Sequence, residues 1–238
     1  MKNLLSKTGG LLIGGLCVAG TLPLSAASLY DNSGSLLAPV EPGTYEIGDQ
    51  IVLTGGDLFT LSGFSFQYWG TSANNTSFTG LDANGVQVQV SFYLNNGAAD
   101  PVSGEATPGT RLWQSSWFGI NPDADGALLQ YDAVNDGFSG VTLPSSFTWS
   151  VKFQGMSTTD HVGVDSFSRA LGAAGMDYPD YWQNNNGNWQ LVQANSGTPV
   201  SFGAKFEGTA VPEPSSMALL GLGGLGLAAL AKRSRRQE

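Results

Sequence analysis

The chain has 238 residues, 19 acidic against 10 basic side chains, one histidine and a formal net charge of −9. Lys2, Lys7, Lys232, Arg233, Arg235 and Arg236 hold most of the basic charge at the two ends, and only Arg111, Lys152, Arg169 and Lys205 lie between 28 and 210. That middle region is strongly acidic and repels phosphate backbones, which excludes nucleic acid as a partner. Cys17 is the only cysteine, so no disulfide framework is available and stability must come from an ordinary core.

Met1 to Lys7 is a short basic stretch, Gly10 to Leu24 an apolar one, and Ser25-Ala26-Ala27 places small residues where a signal peptidase cuts. The pattern predicts a signal peptide over 1–27, with cleavage after Ala27 (Ala26 is the near alternative) and a new N-terminus at Ser28. Cys17 lies inside the apolar stretch after Leu16, the wrong context for a lipoprotein, and leaves with it.

Residues 28–210 are long enough for one domain with a sizeable core. They are rich in Gly, Ser, Thr, Asn and aromatics, a strand-and-turn composition. Ser28 to Pro42 reads as a loose arm with a strand near Tyr30. Gly48 to Gly56 reads as a strand, and Phe64 to Tyr68 as another with one aromatic face. Val86 to Leu94 alternates most cleanly, with Val88, Val90 and Phe92 inward and Gln87, Gln89, Ser91 and Tyr93 outward. Asn95-Asn96-Gly97 ends it, and Arg111 to Phe118 follows a Pro108-Gly109 turn. Strands are expected at Phe138–Leu143, Phe147–Phe153 and His161–Phe167, with a helical turn or irregular loop over Phe167–Met176. Tyr181–Val192 reads as a hairpin turning at Asn184 to Asn188. A final strand carries Val200, Phe202, Ala204 and Phe206 inward, and Gly208-Thr209-Ala210 reads as a linker.

About nine strands without a helix-strand alternation predict an all-β fold, an antiparallel β-sandwich of jelly-roll type. Its core is expected to hold Phe64, Phe66, Val88, Val90, Phe92, Trp149, Val151, Phe202 and Phe206.

The last stretch joins three unlike pieces. Val211-Pro212-Glu213-Pro214-Ser215 cannot enter a helix or sheet interior, because its prolines lack N–H donors and fix φ. Met217 to Ala231 has no polar side chain, and Lys232, Arg233, Arg235 and Arg236 follow. This order predicts a transmembrane helix stopped with its basic end in the cytoplasm. Met217–Ala231 spans about 22 Å as helix, short of a ~30 Å bilayer core, and Ser215, Ser216 and the snorkelling stems of Lys232 and Arg233 extend it.

Those residues resemble the PEP-CTERM sorting signal of bacterial exported proteins. The resemblance implies a tail over 211–236 that anchors transiently in the inner membrane. Exosortase, a membrane transpeptidase-like enzyme, recognises such a tail and cuts near the Pro-Glu-Pro motif. It also implies a Gram-negative bacterium that makes extracellular polysaccharide. A second resemblance lies in Ser91–Gly97 with Pro108–Ser115, and in Phe147–Val151 with Asp180-Tyr181-Trp182 and Trp189. These segments are similar to uncharacterised β-sandwiches of secreted PEP-CTERM proteins, which implies a fold and no reaction.

Three sets of residues carry candidate chemistry. Asn121, Asp123, Asp125 and Asp132 stand at the first, third, fifth and twelfth positions of a loop with Gly126 at the sixth, the spacing of a calcium site. The same stretch also reads as a polar turn: it opens on Asn, ends on Asp rather than Glu and has no flanking helices. His161 stands alone, so neither a histidine-based zinc site nor a Gly-x-Ser-x-Gly triad is available. Tyr181, Trp182 and Trp189 beside the Asn184–Asn188 run are candidates for stacking on sugar rings, with core or cross-strand packing as the alternative. The expected function is that of an exported cell-surface or exopolysaccharide-matrix protein, non-enzymatic, structural or adhesive, with exosortase and extracellular polysaccharide as partners and no cofactor. A carbohydrate-binding module and a glycan hydrolase are the alternatives.

Overall fold

A computed structural model of the chain describes residues 27–32, 35–71, 86–120, 124–132, 140–156, 158, 160–168, 175–178, 180–193 and 200–212. Among these residues every regular element is a strand. In chain order they are β1 (Ala27–Asp31), β2 (Ser35–Val40), β3 (Glu46–Val52), β4 (Leu58–Thr71), β5 (Gln87–Tyr93), β6 (Arg111–Gln114), β7 (Phe118–Gly119) and β8 (Ala124–Asp132). They continue as β9 (Thr142–Pro144), β10 (Ser146–Gln154), β11 (His161–Ser168), β12 (Met176–Asp177), β13 (Asp180–Asn185), β14 (Asn188–Gln193), β15 (Ser201–Phe202) and β16 (Ala204–Ala210).

The strands form two antiparallel sheets. One runs β1-β16-β4-β11-β15, with β2 on β11 and with β8 and β9 on β4. The other runs β14-β13-β3-β10-β5-β6, with β12 on β3 and β7 on β5. Their inner faces meet in one aromatic core, and all nine residues expected there are buried in it. Phe64 is its centre, with ring centroids 4.6 Å from Phe206, 5.3 Å from Phe92, 5.4 Å from Trp149 and 5.9 Å from Phe66. Such tilted and edge-on pairs set the negative ring face against a positive edge and add to the burial itself. Asp49, fully buried on β3, accepts a hydrogen bond from the Phe202 amide of β15 at 2.8 Å and so ties the sheets together.

Several expectations need correction. Ser28–Pro42 is no loose arm but holds β1 and β2, which pair with β16 and β11. Gly208-Thr209-Ala210 is no linker: these residues pair with Leu61, Thr60 and Phe59. Val211 extends the contact by donating its amide to Leu58 O at 2.8 Å, and Pro212 follows immediately. At the other end of the chain, Ala27 pairs with Gly208. Paired residues lie about 5 Å apart, so the start of β1 and the end of β16 lie side by side at one pole of the sandwich.

The calcium loop does not form across Asp125 and Asp132. Both lie in β8, extended against β4, with Asp132 paired with Gly63 and Ala124 with Gly70. At ~3.3 Å per residue an extended strand separates Asp125 and Asp132 by roughly 23 Å, whereas ligands of one ion lie ~2.5 Å from it. Asn121 and Asp123 lie outside the described residues, as does most of the loop expected before Met176.

Candidate functional site

The outward face of the second sheet is the most elaborated surface among the described residues. Glu46, Gly48, Thr148, Ser150, Ser91 and Tyr93 share that face, since Ser150 pairs with both Gly48 and Ser91 and Thr148 with Tyr93. Trp182 stands opposite Gly48, and Asn184 opposite both Glu46 and Trp189, which brings the β13–β14 hairpin onto the same face. The hairpin closes through Asn186 at φ 52° and Gly187 at φ 94°, two consecutive left-handed residues that an Asn-Gly pair supplies with little strain. Asn184 Oδ1 accepts from the Gly187 amide at 2.7 Å and fixes the turn.

Glu46 organises the hydrogen bonds of this face. Its Oε1 accepts from the Tyr93 hydroxyl at 3.0 Å and from Ser150 Oγ, and its Oε2 accepts from Asn184 Nδ2 at 2.9 Å. A carboxylate with three side-chain donors is held in place. Burial, and then the Glu46 charge, push the Tyr93 phenol up to about 12. A phenol raised in this way contributes stability below its ordinary value near 10, and that stability is lost as pH rises through about 12. In an absorbance titration Tyr93 is expected to ionise among the last tyrosines, and Tyr93→Phe should remove that late step. The same substitution should lower stability by about 1–2 kcal/mol by taking a donor from Glu46. An unchanged late step in Tyr93→Phe would overturn the assignment.

The segment from Leu94 to Thr110, between β5 and β6, is far longer than the ~2–5 residues usual in a hairpin loop. It folds as an arm. Gly97 N donates to Thr107 O, Thr107 N to Ala98 O and Asp100 N to Glu105 O, around a bridge between Ala99 and Ala106. Gly97 is required there, because a Cβ would collide with Thr107 Oγ1 and with two backbone carbonyls. Asp100 closes the tip by accepting from the Ser103 amide at 2.8 Å, the Val102 amide at 3.0 Å and Ser103 Oγ at 3.1 Å. The Ser103 amide is the chief cause that holds its carboxyl below the usual range, and the Leu191 amide of β14 also donates to it. Asp180 on β13 is raised, by burial first and then by the Glu105 charge. The Leu191 contact, with Asp100 and Pro101 facing Asn188 and Trp189 across one cleft, places the arm's tip beside β14, across the outward face from its root on β5.

Between the arm and the hairpin lies a cleft of about 550 Å³. Its walls are Gly97–Pro101 and Thr107–Gly109 on the arm and Gly187–Trp189 on the hairpin, and Tyr93 and Asn184 also line it. Trp189 meets Tyr93 edge-on, with centroids 5.5 Å apart.

The structure separates the three aromatic candidates. Trp189 lines the cleft. Trp182 is fully buried and Tyr181 faces inward onto Phe202 at 5.4 Å, so neither offers a ring to a ligand. The alternation along β13 is the reason: Tyr181 points into the sandwich, and Trp182 falls on the outward face in the part of the hairpin that the arm reaches. His161 is an exposed side chain whose Nδ1 lies 2.9 Å from Glu41 Oε1, away from this face. Sequence reading missed Glu46 and the arm. The available signal was the length of the insertion bounded by Asn95-Asn96-Gly97 and Pro108-Gly109.

The pole where β16 ends leads into a second functional feature. Residues 210–236 match the family described as the PEP-CTERM protein-sorting motif. The chain carries a PEP-CTERM sorting motif. This motif marks an exported protein for exosortase-dependent sorting, and the match begins at the last residue of β16. Val211 and Pro212 are exposed at the sheet end. Glu213, Pro214, Ser215, the apolar run and the basic cluster Lys232, Arg233, Arg235 and Arg236 lie outside the described residues, as does the signal segment before Ala27. No match was found among curated proteins or among solved structures.

Proposed function

We propose that this PEP-CTERM protein is a non-enzymatic adhesive or structural component of the cell surface or exopolysaccharide matrix, in which the sandwich is the cargo delivered by the tail. The signal peptide starts export and leaves Ser28 at the front of β1. The C-terminal helix holds the chain in the inner membrane until exosortase acts. The successive strands β3, β4 and β5 alternate between the two sheets, in keeping with jelly-roll connectivity. The observation that carries the reading is the cleft between the arm and the hairpin. Its aromatic and amide walls suit passive association, and both carboxylates that approach it, Glu46 and Asp100, are engaged by several donors.

A carbohydrate-binding module is the second reading, favoured by Trp189 and Tyr93 in one cleft. A hydrolase needs a pair of carboxylates free to exchange protons across the scissile bond, and nothing at this cleft favours it. Secreted, processed protein mixed with the producer's isolated matrix should be retained, and retention should rise with the density of displayed copies because single sites of this kind are weak. Recovery of all the protein in the wash would end the adhesive reading.

A further inference from the structure

We propose that the cleft between the arm and the β13–β14 hairpin is a subsite for neutral sugar units, with Trp189 as the apolar platform, the buried Tyr93 ring supporting it edge-on, and Asn184 and Asn188 as the amide rim. The proposal rests on the adhesive reading and narrows its ligand. Four observations converge on it. The cleft, at about 550 Å³, falls in the ~300–1,000 Å³ range of small-ligand sites. Two aromatic rings in contact line it together with amides, and a pyranose presents a matching pair of surfaces, an apolar C–H face and a hydroxyl rim. No lysine or arginine lines it, and Glu46 and Asp100 put negative charge beside it. An anionic sugar would therefore lose its hydration without gaining a counter-charge, which disfavours uronic acids. Finally, the platform is already ordered. Tyr93 is fixed by Glu46, the hairpin by Asn184 and the arm by Asp100, so binding orders little that was free.

The test uses the processed, secreted protein and two probe sets in isothermal titration: neutral tetrasaccharides of glucose and mannose, and a tetrasaccharide of hexuronic acid. A neutral probe should bind weakly, with Kd on the order of 1 mM or somewhat below, and the uronic probe should not. Trp189→Ala should weaken the neutral probe about tenfold, and Trp189→Phe should recover part of the loss. Asn188→Ala, at an exposed turn position, serves if Trp189→Ala does not fold, and should also weaken binding. Equal or tighter binding of the uronic probe, or neutral binding indifferent to these substitutions, would overturn the subsite. Retention on the matrix without any neutral binding would overturn the subsite and leave the adhesive reading standing. Neutral binding by a protein that the matrix does not retain would do the reverse.

Discussion

Replacing Pro212, Glu213 and Pro214 together by alanine should abolish removal of the tail, leaving a full-length species with Arg235 and Arg236 in the membrane fraction where wild type is released. Intact-mass measurement of both fractions reads the result directly, and a mutant processed like wild type would refute exosortase-dependent sorting of this chain. The sandwich adds a second expectation. β16 runs to Ala210 and the Val211 amide is still bonded to Leu58, so the motif starts one residue beyond a closed sheet. An enzyme that grips Pro212–Pro214 must either seat the sheet end or unzip its last pairs, each a net loss of about 1 kcal/mol. Inserting a short Gly-Ser spacer between Val211 and Pro212 should therefore speed processing, several-fold if two pairs must open. An unchanged rate would mean that the enzyme accommodates the folded pole. Ala27 lies beside Gly208 at that same pole, so the residues before β1 and those after β16 join the domain at neighbouring points.

Phe64→Ala should cost about 3–5 kcal/mol, the range for emptying a buried phenylalanine site. Phe64 is 3 % exposed and its ring touches four other aromatics drawn from both sheets. Collapse into the space is hindered because each neighbour is itself held by the strand that carries it. With a total stability of ~5–15 kcal/mol and a Tm shift of roughly 2–4 °C per kcal/mol at this size, melting should fall by about ten degrees or more. Phe64→Leu, which keeps most of the volume, should cost about half as much. A thermal melt compares them. A loss below about 1 kcal/mol for Phe64→Ala would mean that the ring is peripheral to the core.

The legible parts of the molecule were those in which each residue's role is set by its near neighbours. Alternation over Val88–Tyr93 and Phe147–Phe153 assigned inward and outward faces correctly, because a strand's side chains alternate whatever it pairs with. The Asn-Gly turn at 186–187 was readable for the same local reason, since only such residues accept two left-handed positions cheaply. The sorting motif was readable because a receptor recognises it as a linear segment. Failures came where one segment depends on a distant one. The spacing from Asn121 to Asp132 suits a loop only if nothing offers those residues a ladder, and β4 does. Gly208–Ala210 has linker composition, yet Phe59, Thr60 and Leu61 supply its partners from far back in the chain.

The amino-acid sequence by itself determined the all-β class, the aromatic core, the acidic exported surface and the address at the C-terminus, because composition, period and linear motif act within a few residues. Only the tertiary structure decided where the site lies. The arm at 94–110 becomes a wall of a cleft only when its tip reaches Leu191. Glu46 becomes the group that fixes two of the cleft's lining residues only when Tyr93, Ser150 and Asn184 arrive from three other strands. Trp182 and Trp189, alike in type and close in sequence, part company because one lies in the buried body of the hairpin and the other beside its open tip.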